Sequence, residues 1–363
     1  MNRSLSLYLD LVRFLAAMLV FFNHAQLPEL NGEWLSGVGA FGREAVMIFF
    51  VLSGYVIAHV AATKEASGFD FSVSRLARLY SVVVPALLLT VIADRIGLWL
   101  APTLYQGGWY IDSHPVPRLM ASLLFVNEVW FESVRPFSNG PFWSMGYEAS
   151  YYLIFGLWTY LDPKYRLWAV LLVLAIVGPK IALLFPIWLL GVGVYRLNQR
   201  WTASPAIAWL LFVGSFAAFI TLNVLRFANY TLDLSVAWFG HDLVMEQLHY
   251  SKFFLSGYLV GLLVAANFIG VNGIADSIGR VLKPLKSPIQ FAAGLTFSIY
   301  LFHYPLLHMF RAMTKSSVLL CCLSLLTIVV LGVYTEQRKH LYKRFFFNLI
   351  TLSSARLATW RNA

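Results

Sequence analysis

Ten apolar runs, few of them interrupted by charge, constrain most what this chain can fold into. They lie at 8–27, 39–61, 80–100, 142–161, 166–180, 183–197, 205–225, 253–270, 294–313 and 317–335. A helix that crosses a bilayer needs about 20 largely apolar residues, and most of these runs approach that length. Charged residues make up 12% of the chain and hydrophobic residues 59%, whereas a soluble domain carries about 25% charged residues. A chain of 363 residues with so little charge cannot cover its own surface in water, so lipid is its expected solvent. The expected fold is all-α, a polytopic transmembrane helical bundle of about ten spans. The bundle domain covers residues 1–337 and a basic cytoplasmic tail covers 338–363.

The net charge of +10 raises the question of nucleic acid. Its distribution argues against that partner, because the basic residues sit in short connections and in the tail. With the N-terminus inside, Arg3, Lys64, Arg75, Arg78, Lys164, Arg166, Arg196, Arg200, Arg280, Lys283, Lys286 and the tail fall on one side. The other side holds the thinner set Arg118, Arg135, Arg226 and Lys252. This is a positive-inside pattern with both termini cytoplasmic, and membrane lipids are the expected surroundings of the tail. The start of the chain reads as a retained first span rather than a signal peptide, since Arg13 lies inside the apolar stretch and no small-residue cleavage site follows. Residues 118–131 are apolar but too short to cross, and read as an interfacial helix. Gly178, Pro179 and Pro186 break the fifth and sixth runs, which fits a tight hairpin or a re-entrant pair. Cys321 and Cys322 are adjacent in an apolar run and imply no disulfide framework.

Ionisable residues inside spans are costly and therefore informative. In the first span Arg13 and His24 are eleven residues apart. That spacing is three turns plus roughly 20°, so the two share a helix face about 16 Å apart along the axis. A histidine facing into the bundle suits general-base work; a helix-packing pair, with Asp10 bridging Arg13, accounts for the same residues. Arg75 and Arg78 are spaced i, i+3 and offer two guanidiniums on one face, a fork for phosphate; a plain positive-inside anchor is the simpler reading. Asn139 to Glu148 enters the fourth span, where Glu148 must be paired, protonated or functional. Trp143 there has the ordinary use of an interfacial anchor. In Ser298–Pro305, His303 beside a proline is more commonly a hydrogen-bonding partner than a catalyst. Gly37-Val-Gly39-Ala-Phe-Gly42 matches a dinucleotide-binding pattern literally, but no strand precedes it and a span follows. Small residues here and at Ser53-Gly54 instead allow close helix approach. No metal-ligand motif is present.

Together these motifs resemble the acyltransferase 3 family of integral membrane O-acyltransferases. The resemblance rests on Leu9-Asp10 with Arg13 and His24, on Phe49 to Tyr55 with Ser53, on Arg75-x-x-Arg78-Leu-Tyr80, on Phe142-Trp143-Ser144 with Glu148, and on Ser298-Ile-Tyr300 with His303 and Pro305. Val12, Met145 and Ser81 are mild departures from the family's pattern. The resemblance implies transfer of an acyl group, commonly acetyl, from acyl-CoA as co-substrate to a hydroxyl of a sugar, a glycan or a glycosylated small molecule. It implies no tightly bound cofactor, and a place in the bacterial inner membrane. His24, Arg13 and Glu148 are then the expected catalytic set, with Glu148 orienting or charge-balancing His24. Arg75, Arg78 and Tyr80 are the expected donor-binding set, and Ser53, Trp143, Ser144 and His303 support the acceptor or the structure. Direct transfer and an acyl-histidine intermediate both remain open at this point. No appended hydrolase-like domain is expected to take part. The competing readings are a transporter or flippase of a lipid-linked glycan, which would show paired broken spans, and a non-catalytic scaffold.

Overall fold

The computed structural model describes residues 2–30, 37 and 41–361, side chains beyond 351 excepted. Among the described residues the chain is all-helical, without a strand. Its helices are α1 (Arg3–Ala25), α2 (Gly42–Lys64), α3 (Gly68–Leu100), α4 (Pro115–Leu123), α5 (Trp143–Tyr160), α6 (Pro163–Val177) and α7 (Pro179–Arg200). They continue as α8 (Pro205–Val224), α9 (Phe227–Phe239), α10 (Phe254–Gly273), α11 (Ala275–Leu282), α12 (Lys286–Ala293), α13 (Thr296–Met313), α14 (Ser317–Tyr334) and α15 (Lys339–Arg361). Among the described residues seven stretches are long and apolar enough to cross a membrane: α1, α2, α3, α7, α8, α10 and the segment Ser317–Thr351. The runs expected at 142–161, 166–180 and 294–313 form α5, α6 and α13, which are shorter or more polar. The glycine-rich lookalike falls partly outside the described residues, and its last glycine, Gly42, opens α2.

Helix starts follow local chemistry. The Asn2 side chain accepts from the Ser4 amide, and Ser67 accepts from the Asp70 amide at 3.1 Å while donating to its carboxylate at 2.7 Å. These caps satisfy amides that the first turn leaves without partners. Helix α13 has no such residue of its own, since its N-cap is Leu295. Glu336, 38 residues further along the chain, takes that role: its carboxylate accepts from the Ser298 amide at 2.9 Å and the Phe297 amide at 3.3 Å. A carboxylate there also meets the positive end of the helix dipole.

The bundle is closest-packed where α2 crosses α7. A Cβ on Gly54 would lie 2.0 Å from the Trp188 carbonyl oxygen, and one on Gly191 would lie 1.9 Å from that of Val51. The small residues at 53–54 therefore do bring two backbones together, as the sequence leads one to expect. The hairpin at 178 is also present, but tighter: Gly178 alone separates α6 from α7, at φ +83° and against the Trp130 backbone. Helix α7 runs unbroken through Pro186, so the sixth run is longer than the sequence pattern indicates.

The stretch 118–131 differs from the interfacial helix expected of it. Helix α4 ends at Leu123, and Phe125 and Trp130 adopt positive φ. The reason is an ion pair that draws this loop inward. Lys180 and Glu128 meet at 2.7 Å with side chains 0% and 1% exposed. Ser133 donates to the other carboxylate oxygen at 2.7 Å, and the ammonium also donates to the Glu132 carbonyl. Burial pushes the Glu128 carboxyl up from its ordinary range, while Lys180 and Ser133 act against that shift.

Breaking a buried pair by removing one partner costs about 3–5 kcal/mol. Lys180→Ala is therefore expected to lower the thermal midpoint of the purified protein by several degrees, and adding Glu128→Gln should recover part of the loss. A single variant that melts with the parent would remove this pair from the account of the loop.

Candidate active site

Helices α2, α3, α5, α13 and α15 enclose a cavity of about 400 Å³. One wall is apolar, formed by Val46, Phe49, Phe50 and Val56 of α2 with Phe297 and Tyr300 of α13. The rest is cationic, with Arg13, Lys64, Arg75, Arg78, Lys339 and Lys343 on the lining. Two carboxylates, Glu65 and Glu148, face them. Ser53 and Ser144 complete the polar surface. Most of the residues singled out from sequence thus converge on one space, although six helices contribute to its lining once α1, which carries Arg13, is counted.

The two arginines of α3 share a face, as i, i+3 spacing requires, but their surroundings differ. Arg75 is buried and paired with Glu65 at 2.5 Å, and Tyr160 holds the Glu65 backbone carbonyl at 3.1 Å. Arg78 lies with its guanidinium 4.6 Å from the centre of the Phe297 ring. Among the described residues its guanidinium has no ion pair or hydrogen bond. Arg75 is therefore a clamped cation and Arg78 an available one. Arg13 is paired with Asp10 at 2.7 Å, so the bridge that sequence spacing allows is present, and Arg13 still reaches the cavity lining.

Glu148 sits on α5 among hydroxyls. Ser53 donates to it at 3.1 Å, Tyr152 donates to the same oxygen, and Trp188 donates to Ser53 at 3.2 Å. Ser144 donates to the Tyr300 hydroxyl at 2.9 Å across the cavity floor. Four expected site residues lie off the lining: Trp143, Tyr80, His24 and His303. Trp143 is stacked on Tyr250, with ring centres 4.6 Å apart. Tyr80 donates to the Leu123 carbonyl at 2.8 Å and packs between Phe125 and Phe346, so it joins helices rather than lining the cavity.

His24 does not line the cavity, and is linked to it through His303, one turn from Tyr300 on α13. Its expected orienting partner, Glu148, does not touch it; His303 does. His24 Nδ1 lies 3.1 Å from the Val20 carbonyl and 2.9 Å from His303 Nε2, and His303 Nδ1 lies 2.9 Å from the Ile299 carbonyl. Carbonyl oxygens only accept, so both Nδ1 atoms carry the proton. His303 Nε2 is then an acceptor, and His24 donates to it from Nδ1. The consequence is a fixed tautomer: His24 Nε2 is bare, and among the described residues nothing bonds to it. His303 is fully buried while His24 is half-buried. The Tyr300 ring, on the cavity floor, is 6.4 Å from that of His303.

Several of these contributors were not legible in advance. Glu65 and Tyr152 belong to no spaced pattern, and Tyr300 looks like any aromatic on a helix. Lys339 and Lys343 are at i, i+4, which puts them on one face, but nothing in sequence says that this face meets a cavity. Among the described residues, the grouping of metal-ligand type is His241, Asp242 and Glu246. All three are exposed in the segment before α10, with no buried ligand to build a shell around.

The chain matches the acyltransferase domain of the acyltransferase 3 family over residues 6–336. It is similar to an O-acetyl transferase of Shigella phage Sf6, with 28% identity over 163 residues covering 41% of this chain and 44% of the relative. It is also similar to acyltransferase MdmB of Streptomyces mycarofaciens, with 31% identity over 217 residues covering 56% of this chain and 54% of that one. The matched stretches span about half the length of these relatives. No solved structure matches the chain. The family match takes in every helix that lines the cavity except α15, and on that ground the chain belongs to the acyltransferase 3 family, as an integral membrane protein.

Proposed function

We propose that this protein is a membrane O-acyltransferase that moves an acyl group, acetyl by preference, from acyl-CoA to a hydroxyl of a sugar, glycan or glycosylated small molecule. The observation that carries the reading is the free Nε2 of His24, whose partner His303 is one helix turn from Tyr300 on the lining of a cationic cavity. The proposed setting is a bacterial inner membrane, with about ten crossings, both termini cytoplasmic and the cationic mouth on the cytoplasmic side. The similarity to a phage O-acetyl transferase supports acetyl as the group moved.

In the proposed reaction His24 Nε2 takes the proton of the acceptor hydroxyl as its oxygen attacks the thioester carbonyl. The C–S bond then breaks, and the proton passes from His24 to the departing thiolate. His303 holds the Nδ1 proton of His24 in place, so the lone pair faces the reacting groups throughout. Arg78 meets a donor phosphate, and Arg13 presents a positive edge along the path from the cations to His24. Glu148, hydrogen-bonded through Ser53 and Tyr152, balances the positive charge of the cavity rather than orienting His24. Tyr304 packs edge-on against His24 with ring centres 5.0 Å apart, and Trp109 stacks on His308 next to it. Such aromatic faces with few polar groups are the usual lining of a small-molecule site, and they support an acceptor approaching His24 from that side. A transporter would be expected to show a pair of matched broken helices, whereas α7 passes through its proline unbroken.

A positioned base contributes about 10²–10⁴ in rate. His24→Ala is expected to lower kcat/KM by that order in reconstituted membranes with acyl-CoA and envelope acceptor. Retained transfer at equal protein level would end the base assignment. His303→Leu should lower kcat by about tenfold or more, leave donor KM unchanged and shift the acid limb of the pH–rate profile, with partial rescue by His303→Gln. If the acid limb stays in place, His303 is only packing. A charge-assisted hydrogen bond is worth about 1.5–3 kcal/mol, so Arg78→Ala should raise donor KM by roughly ten- to a hundredfold. Arg75→Ala should instead reduce thermal stability, because it strands the buried Glu65 carboxylate, and Glu65→Gln in the same chain should restore it. Equal KM effects of the two arginine variants without any stability change would contradict the division between them.

A further inference from the structure

The basic tail does more than follow the bilayer. Two contacts fix where it goes. At the elbow, Glu336 is buried and bonded to Ser298 through its hydroxyl at 3.0 Å as well as its amide, which pins the turn to the start of α13. Three residues later α15 begins, and it packs along α3. Phe346 meets Tyr80 with ring centres 5.4 Å apart, and Phe347 meets Phe69 at 5.5 Å. The first turns of α15 are thereby held across the cavity mouth.

Lys339 and Lys343, one turn apart, both line that mouth. Among the described residues neither ammonium makes an ion pair or a hydrogen bond, and both lysines are exposed. The carboxylates cannot balance them. Glu65 is already paired with Arg75, and Glu148 is bonded to hydroxyls deeper in the cavity. A cavity lined by six cations and two carboxylates is matched by a polyanion. With Arg78 packed on Phe297 but, among the described residues, also without an ion pair or hydrogen bond, three unneutralised positive groups line one cavity.

We propose that α15 is a wall of the donor site, and that Lys339 and Lys343 bind the phosphates of the nucleotide end of CoA together with Arg78. This rests on the acyl-CoA reading of the same cavity. A phosphate monoester carries roughly −1.5 to −2 charge near neutral pH, and CoA adds a diphosphate to it, so the ligand has the charge that the mouth lacks. Tyr80 then serves the donor indirectly, by docking the tail that carries the lysines. Anionic lipid headgroups present the same chemistry to the same side chains, so the test separates the two.

The experiment measures binding of CoA and of pantetheine, which lacks the phosphates, to the full chain in nanodiscs of phosphatidylcholine, with and without phosphatidylglycerol. Lys339→Ala with Lys343→Ala is expected to weaken CoA by about tenfold or more in both lipids, and to leave pantetheine unchanged. Arg344→Ala, on the same helix but off the cavity lining, should match the parent and report that the tail remains docked. CoA affinity unchanged by the double variant, or changed only where phosphatidylglycerol is present, would overturn the proposal and return the lysines to the lipid. A parent protein that binds CoA no better than pantetheine would instead overturn the acyl-CoA reading of the cavity itself, which no tail variant can do.

Discussion

Taking a charge out of water into a helical bundle costs several kcal/mol even after relaxation, and that cost orders this molecule. Three pairs of buried or half-buried ions are neutralised locally, Asp10 with Arg13, Glu65 with Arg75, and Glu128 with Lys180, while Asp94, Glu148 and Glu336 are held by hydrogen bonds instead. The first pair lies within α1, and the other two tie separate elements together. The Glu65–Arg75 contact spans the connection from α2 to α3, and the Glu128–Lys180 contact draws a long loop onto the hairpin at Gly178. Against this background an unpaired polar group stands out. Among the described residues Arg78, Lys339 and Lys343 line the cavity without an ion pair or hydrogen bond, and His24 Nε2 likewise has no hydrogen bond.

The cavity is shaped by packing as much as by charge. The glycine crossing of α2 and α7 sets the position of Ser53, whose hydroxyl links Trp188 on α7 to Glu148 on α5. On the other side, α13 depends on Glu336 for its first turn, and α13 carries Phe297, Tyr300 and His303 in succession. One carboxylate thus stabilises the helix that holds the cavity floor and the tautomer of His24, and also fixes the elbow of the tail. Replacing it would disturb three features at once, which makes it a poor probe of any single one of them.

The sequence made the helices legible because apolar runs and caps are local signals. Arg13, His24, Arg75, Arg78 and Glu148 were legible for a related reason: an ionisable residue in an apolar run stands out against its own surroundings. Partners were not. Glu148 looks like the natural companion of His24 because both are titratable, yet the pairing belongs to His303, which is 279 residues away in the chain. The inequality of Arg75 and Arg78 depends on Glu65, whose place beside α3 is set by how the connection folds back. Tyr80 reads as part of a phosphate motif, but its ring faces Phe125 and Phe346. In each case the missing information is a contact between elements, and no periodicity encodes it.

The separation between the cations and His24 bears on the choice of donor. Arg13 and His24 are about 16 Å apart along α1, and the cavity that Arg13 lines is apolar on one side. A simple acyl phosphate held at the arginines would leave its carbonyl far from the base. A thioester carried on a pantetheine arm would not. That arm has two amide bonds and the reach of about four to five extended residues, or roughly 15 Å at 3.3–3.6 Å per residue. The apolar wall of Val46, Phe49, Phe50 and Val56 gives such an arm a surface to lie on, and Tyr300 marks where the thioester would meet the histidine pair. On the proposed reading, the geometry favours a donor whose charge and whose reactive carbon are far apart, because the free cations lie on α3 and α15 while His24 lies eleven residues beyond Arg13 on α1.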